Sequence, residues 1–243
     1  MLKRVLPRRV LGFLAAVRAG SQKPPPGLLN WGGLRRIEPI SRKWGYDRGT
    51  SIYRGYIECF LRLNATDIRG HVLEFGDRRY TTEFGKEQVA KSDVLTSRPG
   101  NGLATIIADL AQCDQIPPRS FDCIVCTQVL PYVYDLQGAI QNLYRILKPG
   151  GILLATLPGI TKISPEDQSA WGEFWRFTGE SAKRLFAEQF PESCIQVDVH
   201  GNVLVAVAAL HGLAWEELTE TERNFRDPEF EVLITIRAAK PAR

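Results

Sequence analysis

The chain is short of the residues that build metal centres and disulfide frameworks. Its 243 residues hold only three histidines, His71, His200 and His211, and five cysteines, Cys59, Cys113, Cys123, Cys126 and Cys194. No zinc-type set can be assembled from these by spacing, so no metal is expected. An odd cysteine count in a mid-sized chain fits reduced thiols and a cytoplasmic location better than disulfides. Cys123 and Cys126 form a C-x-x-C, but the run around them is β-like, and residues three apart on a strand point to opposite faces. Also absent are an apolar run long enough to cross a bilayer and a G-x-G-x-x-G opening a helix after a strand. Without those glycines the backbone donors for a pyrophosphate are missing, which sets aside a dinucleotide-dependent oxidoreductase.

What the chain does have is a core-forming composition with an uneven charge. At 44% hydrophobic and 24% charged, it can bury one sizeable core and is not a disordered polymer. Residues 1–50 carry eleven Lys and Arg against Glu38 and Asp47, which leaves the remainder net acidic although the whole chain is +4. The basic character therefore belongs to an N-terminal arm, and nucleic-acid binding is not implied. Within the arm, Lys3, Arg4, Arg8 and Arg9 flank the apolar stretch Val10 to Val17, a pattern suited to peripheral contact with a membrane surface. Pro24-Pro25-Pro26-Gly27 and Trp31-Gly32-Gly33 break the chain into an irregular linker. The expected division is an arm and linker over residues 1–40 and a folded domain over 41–243.

Inside the domain, Ile52, Tyr56, Ile57, Phe60, Leu61 and Leu63 recur at helical spacing, predicting a helix packed beside the first strand. Strands are expected over 71–75, 89–94, 104–108, 121–127 and 151–157, and later over 194–199 and 230–236. Between the fourth and fifth, Ile140, Leu143, Tyr144 and Leu147 share one helical face, and Lys148-Pro149-Gly150-Gly151 stops that helix. Alternation of this kind predicts an α/β fold, a Rossmann-like, mainly parallel sheet flanked by helices with an antiparallel C-terminal strand. Ligands of such sheets bind outside the carboxyl ends of the strands.

The order Val72-Leu73-Glu74-Phe75-Gly76, then Phe121-Asp122-Cys123-Ile124-Val125, then a helix ending in Leu147-Lys148-Pro149-Gly150-Gly151, resembles the class I S-adenosylmethionine-dependent methyltransferases. Segments such as Pro39-Ile40-Ser41-Arg42 and Trp171-Gly172-Glu173-Phe174-Trp175-Arg176-Phe177 are similar to a bacterial branch of such proteins encoded with or fused to glycosyltransferases. The resemblance implies S-adenosyl-L-methionine as cofactor, a glycan or small-molecule oxygen as methyl acceptor, and a glycosyltransferase as a candidate partner.

It also implies a cofactor site. Glu74 and Gly76 stand in the first loop, where Gly76 alone of the family's glycines is kept and Asp77-Arg78-Arg79-Tyr80 follows. Asp93 matches the acid that holds the ribose diol, Asp109 the acid that approaches the adenine amine, and Leu110 the residue against the ring. Gln128, past the fourth strand, faces the methyl group or the acceptor, with Tyr132, Tyr134 and Asp135 beside it. Methyl transfer is an in-line displacement that positioning can accelerate without a protein nucleophile. Asp135, Glu166 and Asp167 are candidates for a base, and no catalytic residue is assigned. The charged loop after Gly76 motivates a second reading, a non-catalytic methyltransferase-like module that scaffolds a glycosyltransferase.

Overall fold

The structure, a computed structural model, describes residues 29–242 except 31. The basic arm as far as residue 28 therefore lies outside the described residues. The chain divides into two units, Met1–Pro39 and Ile40–Arg243. Of the first, the described part holds one short helical turn, Gly32–Leu34. The second carries the sheet.

Seven strands are joined in the order β3-β2-β1-β4-β5-β7-β6. They are β1 (Gly70–Phe75), β2 (Val89–Thr96), β3 (Ile106–Ile107), β4 (Phe121–Thr127), β5 (Leu147–Pro158), β6 (Ile195–His200) and β7 (Leu233–Ala239). The first five pair in parallel. β7 runs antiparallel to both β5 and β6, so it is the one reversed strand. The chain leaves β1 for β2 on one side and returns to β4 on the other, which opens a crevice at the carboxyl ends of β1 and β4.

The elements form for local reasons. Helix α1 (Ile52–Leu63) buries Ile52, Tyr56, Ile57, Phe60 and Leu61 on one face, while Leu63, expected in the same stripe, is exposed at the helix's last residue. Helix α2 (Leu136–Ile146) starts at Asp135, whose side chain accepts from the Gly138 amide at 3.0 Å. It ends at Ile146 because Leu147 is already extended and pairs with Phe121. Four helices follow: α3 (Pro165–Trp171), α4 (Gly179–Ala187), α5 (Val203–His211) and α6 (Glu220–Asn224).

The core has two layers, one on each face of the sheet. Leu73, Ile124, Cys126 and Leu153 pack against Ile140 and Leu143 of α2 and Phe186 of α4. Val72, Cys123, Val125 and Leu154 pack against α1 and Val205 of α5. Cys123 and Cys126 thus face opposite layers, both buried and both free thiols. Burial pushes each thiol far above the ordinary range, which keeps them protonated and inert. Among the described residues no group of His, Cys, Asp and Glu could hold a metal ion, and no helix is long and apolar enough to cross a membrane.

Three expected strands differ clearly in length and one is shifted: β5 begins at Leu147, so that Lys148-Pro149-Gly150-Gly151 lies in the strand, and β7 starts at Leu233. β2 continues past Val94 because Leu95 and Thr96 are buried and extend the pairing. β3 keeps only two residues, held by β2 alone at the sheet edge.

Candidate active site

At the carboxyl ends of β1, β2 and β4 lies a cavity of about 710 Å³. Its floor includes Gly76, which follows β1 with φ at +79°, a left-handed conformation that glycine adopts without strain. A Cβ built there would meet nothing within 4 Å, so the backbone is open to the cavity. The Gly76 amide donates to the Leu95 carbonyl at 3.0 Å, tying the loop to β2.

The charged residues after Gly76 turn away. None of Asp77, Arg78 and Arg79 lines the cavity. Arg79 pairs with Glu58 at 3.4 Å and Glu83 at 3.9 Å. Beneath them Glu74 is 2% exposed and its carboxylate accepts from the Tyr80 and Thr81 amides at 3.0 and 2.7 Å. Glu74 is therefore the anchor that folds the loop back, and it is not among the residues lining the cavity. Burial pushes its carboxyl up to about 7, against the lowering effect of those amides.

Asp109, Leu110 and Gln128 line the same cavity as Gly76. Asn142 of α2 places the first two by donating to the Leu110 and Ala111 carbonyls at 3.0 and 3.1 Å. Asp109 is exposed and accepts from the Ala111 amide at 2.9 Å. Gln128 has φ at +56°, an uncommon conformation for a side-chain-bearing residue. Its amide bond to the Thr156 carbonyl, at 3.0 Å, holds it there.

Asp93, expected at the cofactor, is not among the residues that line this cavity. Because β2 runs on to Thr96, Asp93 sits three residues short of the strand's end and does not line the cavity. Its carboxylate is 2.6 Å from His71 Nε2 and 2.9 Å from Lys91 Nζ. The positions at the strand end are Thr96, Ser97 and Arg98, all lining the cavity. Hydroxyls stand there where the resemblance implied a carboxylate.

A second cavity of about 340 Å³ adjoins the first, and both are lined by Thr127, Gln128, Tyr132 and Asp167. Its walls are aromatic: Trp44, Tyr46, Tyr53 and Tyr80. Trp44 and Tyr53 meet edge to face at 5.6 Å, and the Tyr53 hydroxyl donates to the Ile160 carbonyl at 2.9 Å. Ser164 caps α3 by accepting from the Asp167 amide, which sets Asp167 in the helix's first turn. The Tyr132 hydroxyl donates to Asp167 Oδ2 at 3.3 Å. Burial, with Asp167 and Glu173 nearby, pushes the Tyr132 phenol well above its ordinary range, so it remains a donor.

The aromatic segment after β5 divides between roles. Trp171 and Phe174 line the larger cavity. Trp175 donates from its indole nitrogen to the Val133 carbonyl at 3.1 Å, and Phe177 is core. Tyr53 and Arg54, which line the smaller cavity, carry no motif and were missed among the polar and apolar residues of α1.

Residues 66–155 match a family model described as a methyltransferase domain. The seven-stranded sheet has the Rossmann-like methyltransferase fold. Among solved structures, the chain is similar to an S-adenosylmethionine-dependent methyltransferase from Archaeoglobus fulgidus, at 14% identity and TM-score 0.52 over 77% of this chain and 94% of that one. It is also similar to a methyltransferase from Thermotoga maritima described as a possible histamine N-methyltransferase, at 16% identity and TM-score 0.52 over 80% and 94%. Those two likenesses speak to the fold. No curated protein matches. The methyltransferase-domain match over residues 66–155 supports an S-adenosylmethionine-dependent methyltransferase, with S-adenosylmethionine as its cofactor.

The residues present fit that cofactor. The 710 Å³ cavity is within the usual range for a small-molecule site. Leu95, Ala108 and Leu110 offer apolar surface, Asp109 an acceptor for an amine, and Gly76 an open backbone. Thr96 and Ser97 supply hydroxyls at the end of β2.

Proposed function

We propose that the methyltransferase acts on an oxygen of a glycan or small metabolite. The observation that carries this reading is the junction of the two cavities at Gln128, Tyr132 and Asp167. Cofactor and acceptor approach each other there, from a larger and a smaller chamber. When bound, S-adenosylmethionine supplies an electrophilic methyl group.

The chain's own residues divide the work. Gly76, Thr96, Ser97, Asp109 and Leu110 hold the cofactor, and Gln128, fixed in its unusual backbone conformation, shapes the junction. The aromatic walls of the smaller cavity suit the face of a sugar or other ring, and they keep water from it. Asp167 is the residue suited to take the proton that an attacking hydroxyl gives up. Its carboxylate reaches both cavities, and no cation pairs with it among the described residues. Tyr132 orients it through the hydroxyl bond. An amine already free of its extra proton would need less help, so a placed carboxylate favours an oxygen acceptor.

The scaffold reading loses its main support, because Asp77, Arg78 and Arg79 point away from the cavity. A glycosyltransferase partner and peripheral membrane contact through the arm stay as proposals that the domain neither requires nor opposes.

The test uses methyl-labelled cofactor with a panel of hydroxyl-bearing glycans and metabolites, followed by mass spectrometry. Label on an acceptor oxygen, lost in Asp167→Asn, supports the reading. Label that appears only on nitrogen or sulfur acceptors contradicts it.

A further inference from the structure

The smaller cavity contains a cation without a counter-ion. Arg54 lines it from the first turn of α1. Its Nε is buried and has no hydrogen-bond partner among the described residues, and none of the ion pairs among them involves Arg54. The guanidinium carbon lies 4.9 Å from the centre of the Tyr46 ring, a contact that holds the group in place and leaves its donors free. The terminal guanidinium nitrogens also make no hydrogen bond or ion pair among the described residues, so they are the donors that a ligand in the cavity would meet.

The surroundings favour an anion at that position. The N-terminus of α1 adds the positive end of a twelve-residue helix, with no acidic residue in its first turn and no side-chain bond from Ser51 at the cap. Lys162 stands 3.8 Å from the centre of the Trp44 ring, another wall of the same cavity.

Neither acid that lines the cavity pairs with Arg54. Glu173 pairs with Arg176 and accepts from the Ser164 amide at 2.8 Å. Asp167 accepts from Tyr132. The cavity is therefore polarised, with Arg54 unmatched on α1 and the carboxylate of Asp167 at the junction with the cofactor chamber.

From this polarity we infer that the acceptor is a small, ring-bearing acid whose carboxylate or phosphate is seated on Arg54, with the ring between the aromatic walls and a hydroxyl directed toward Asp167. The inference rests on the methyltransferase reading for the fate of the hydroxyl, but the anion seat belongs to Arg54 and the cavity alone. It narrows the substrate class from any glycan or metabolite to acidic ones, such as uronic acids and sugar phosphates. Charge-assisted bonds to a guanidinium are about twice as strong as neutral ones and can be bidentate, so the seat separates acids from neutral analogues.

The probes are glucuronate, glucose 6-phosphate and glucose, titrated calorimetrically into the full chain with and without saturating S-adenosylhomocysteine. At least one of the two acids is expected to bind about tenfold or more tighter than glucose. Arg54→Gln is expected to remove that preference while leaving S-adenosylhomocysteine affinity unchanged, because Arg54 does not line the larger cavity, and to shift the melting temperature only by the loss of the Tyr46 ring contact. Arg54→Lys, which keeps charge without the fork, should restore part of the preference. If both acids bind no better than glucose, or Arg54→Gln leaves the preference intact, the inference is overturned. If S-adenosylhomocysteine fails to bind while the acids retain their preference, the methyltransferase reading fails and the anion seat stands.

Discussion

The parallel strands treat the same residue type in opposite ways at their carboxyl ends and away from them. Away from the carboxyl ends, Asp93 in the middle of β2 is held by His71 and Lys91, and Asp122 near the start of β4 by Lys148 at 2.7 Å and the His71 amide at 2.8 Å. Toward the carboxyl ends, Asp109, Asp135 and Asp167 face the cavity, and none has an ion-pair partner among the described residues. An aspartate with a cation at hand stabilises the sheet. One left with only an amide or a phenol is available to a ligand, and the comparison predicts which variants lose function and which lose stability.

The largest expected effect is at the junction. Asp167→Asn should lower the turnover number by about a hundredfold or more, the usual contribution of a positioned base, with S-adenosylhomocysteine affinity within about twofold of the parent. An equal loss of both would move Asp167 from proton acceptor to cofactor ligand.

Next come the paired aspartates. Asp93→Ala leaves His71 and Lys91 without their shared carboxylate and should cost about 1–3 kcal/mol in denaturant unfolding, with cofactor affinity unchanged. Asp109→Ala should do the reverse: about tenfold weaker S-adenosylhomocysteine binding and less than about 0.5 kcal/mol of stability, since it is exposed and unpaired. Exchange of these two outcomes would break the comparison.

Smaller effects follow from pH. Burial alone would raise Asp93 and Asp122, but bonds from Lys91 and His71 to the first, and from Lys148 and the His71 amide to the second, hold both below the ordinary carboxyl value. Their folded values are depressed, so their stabilisation is complete above the unfolded value of about 4 and is lost as pH falls through the lower folded values. Glu74 has the opposite sign. Its folded value is raised to about 7, so its contribution is complete below about 4.3 and is lost as pH rises through about 7. Melting curves from pH 4 to 8 should therefore show a decline toward the upper end that Glu74→Gln flattens.

Much of the architecture was legible in the residues. The apolar runs of β1, β4 and β5 and the helical face of α2 pointed to the parallel core, because each depends on local periodicity, although the helix stops at Ile146 and Lys148-Pro149-Gly150-Gly151 lies in β5. β2 was only partly legible. In Val89-Ala90-Lys91-Ser92-Asp93-Val94-Leu95-Thr96, only the second half is buried, so its carboxyl end was placed too early and Asp93 with it. Asp109, Leu110, Gly76 and Gln128 met in one cavity because their positions follow strand ends that had been located well.

The smaller cavity was less readable. Trp44 and Tyr46 precede α1 in a segment without strand or helix, and Arg54 lies on an amphipathic helix, where a charged residue is ordinarily a solvated one. Its missing partner is a tertiary fact. The same holds for Asp77 to Arg79, whose bulk in the sequence suggested an obstructed loop and whose direction only the fold decides.

The central claim is that the carboxyl-end cavity, and not the ion-paired region, is the cofactor site. The direct measurement is calorimetric titration of S-adenosylhomocysteine into the parent chain, Asp109→Ala and Asp93→Ala, each shown to be folded by its melting curve. Saturable binding that weakens in Asp109→Ala and persists in Asp93→Ala is the expected result. Absence of binding at millimolar ligand, or weakening in Asp93→Ala alone, would contradict it.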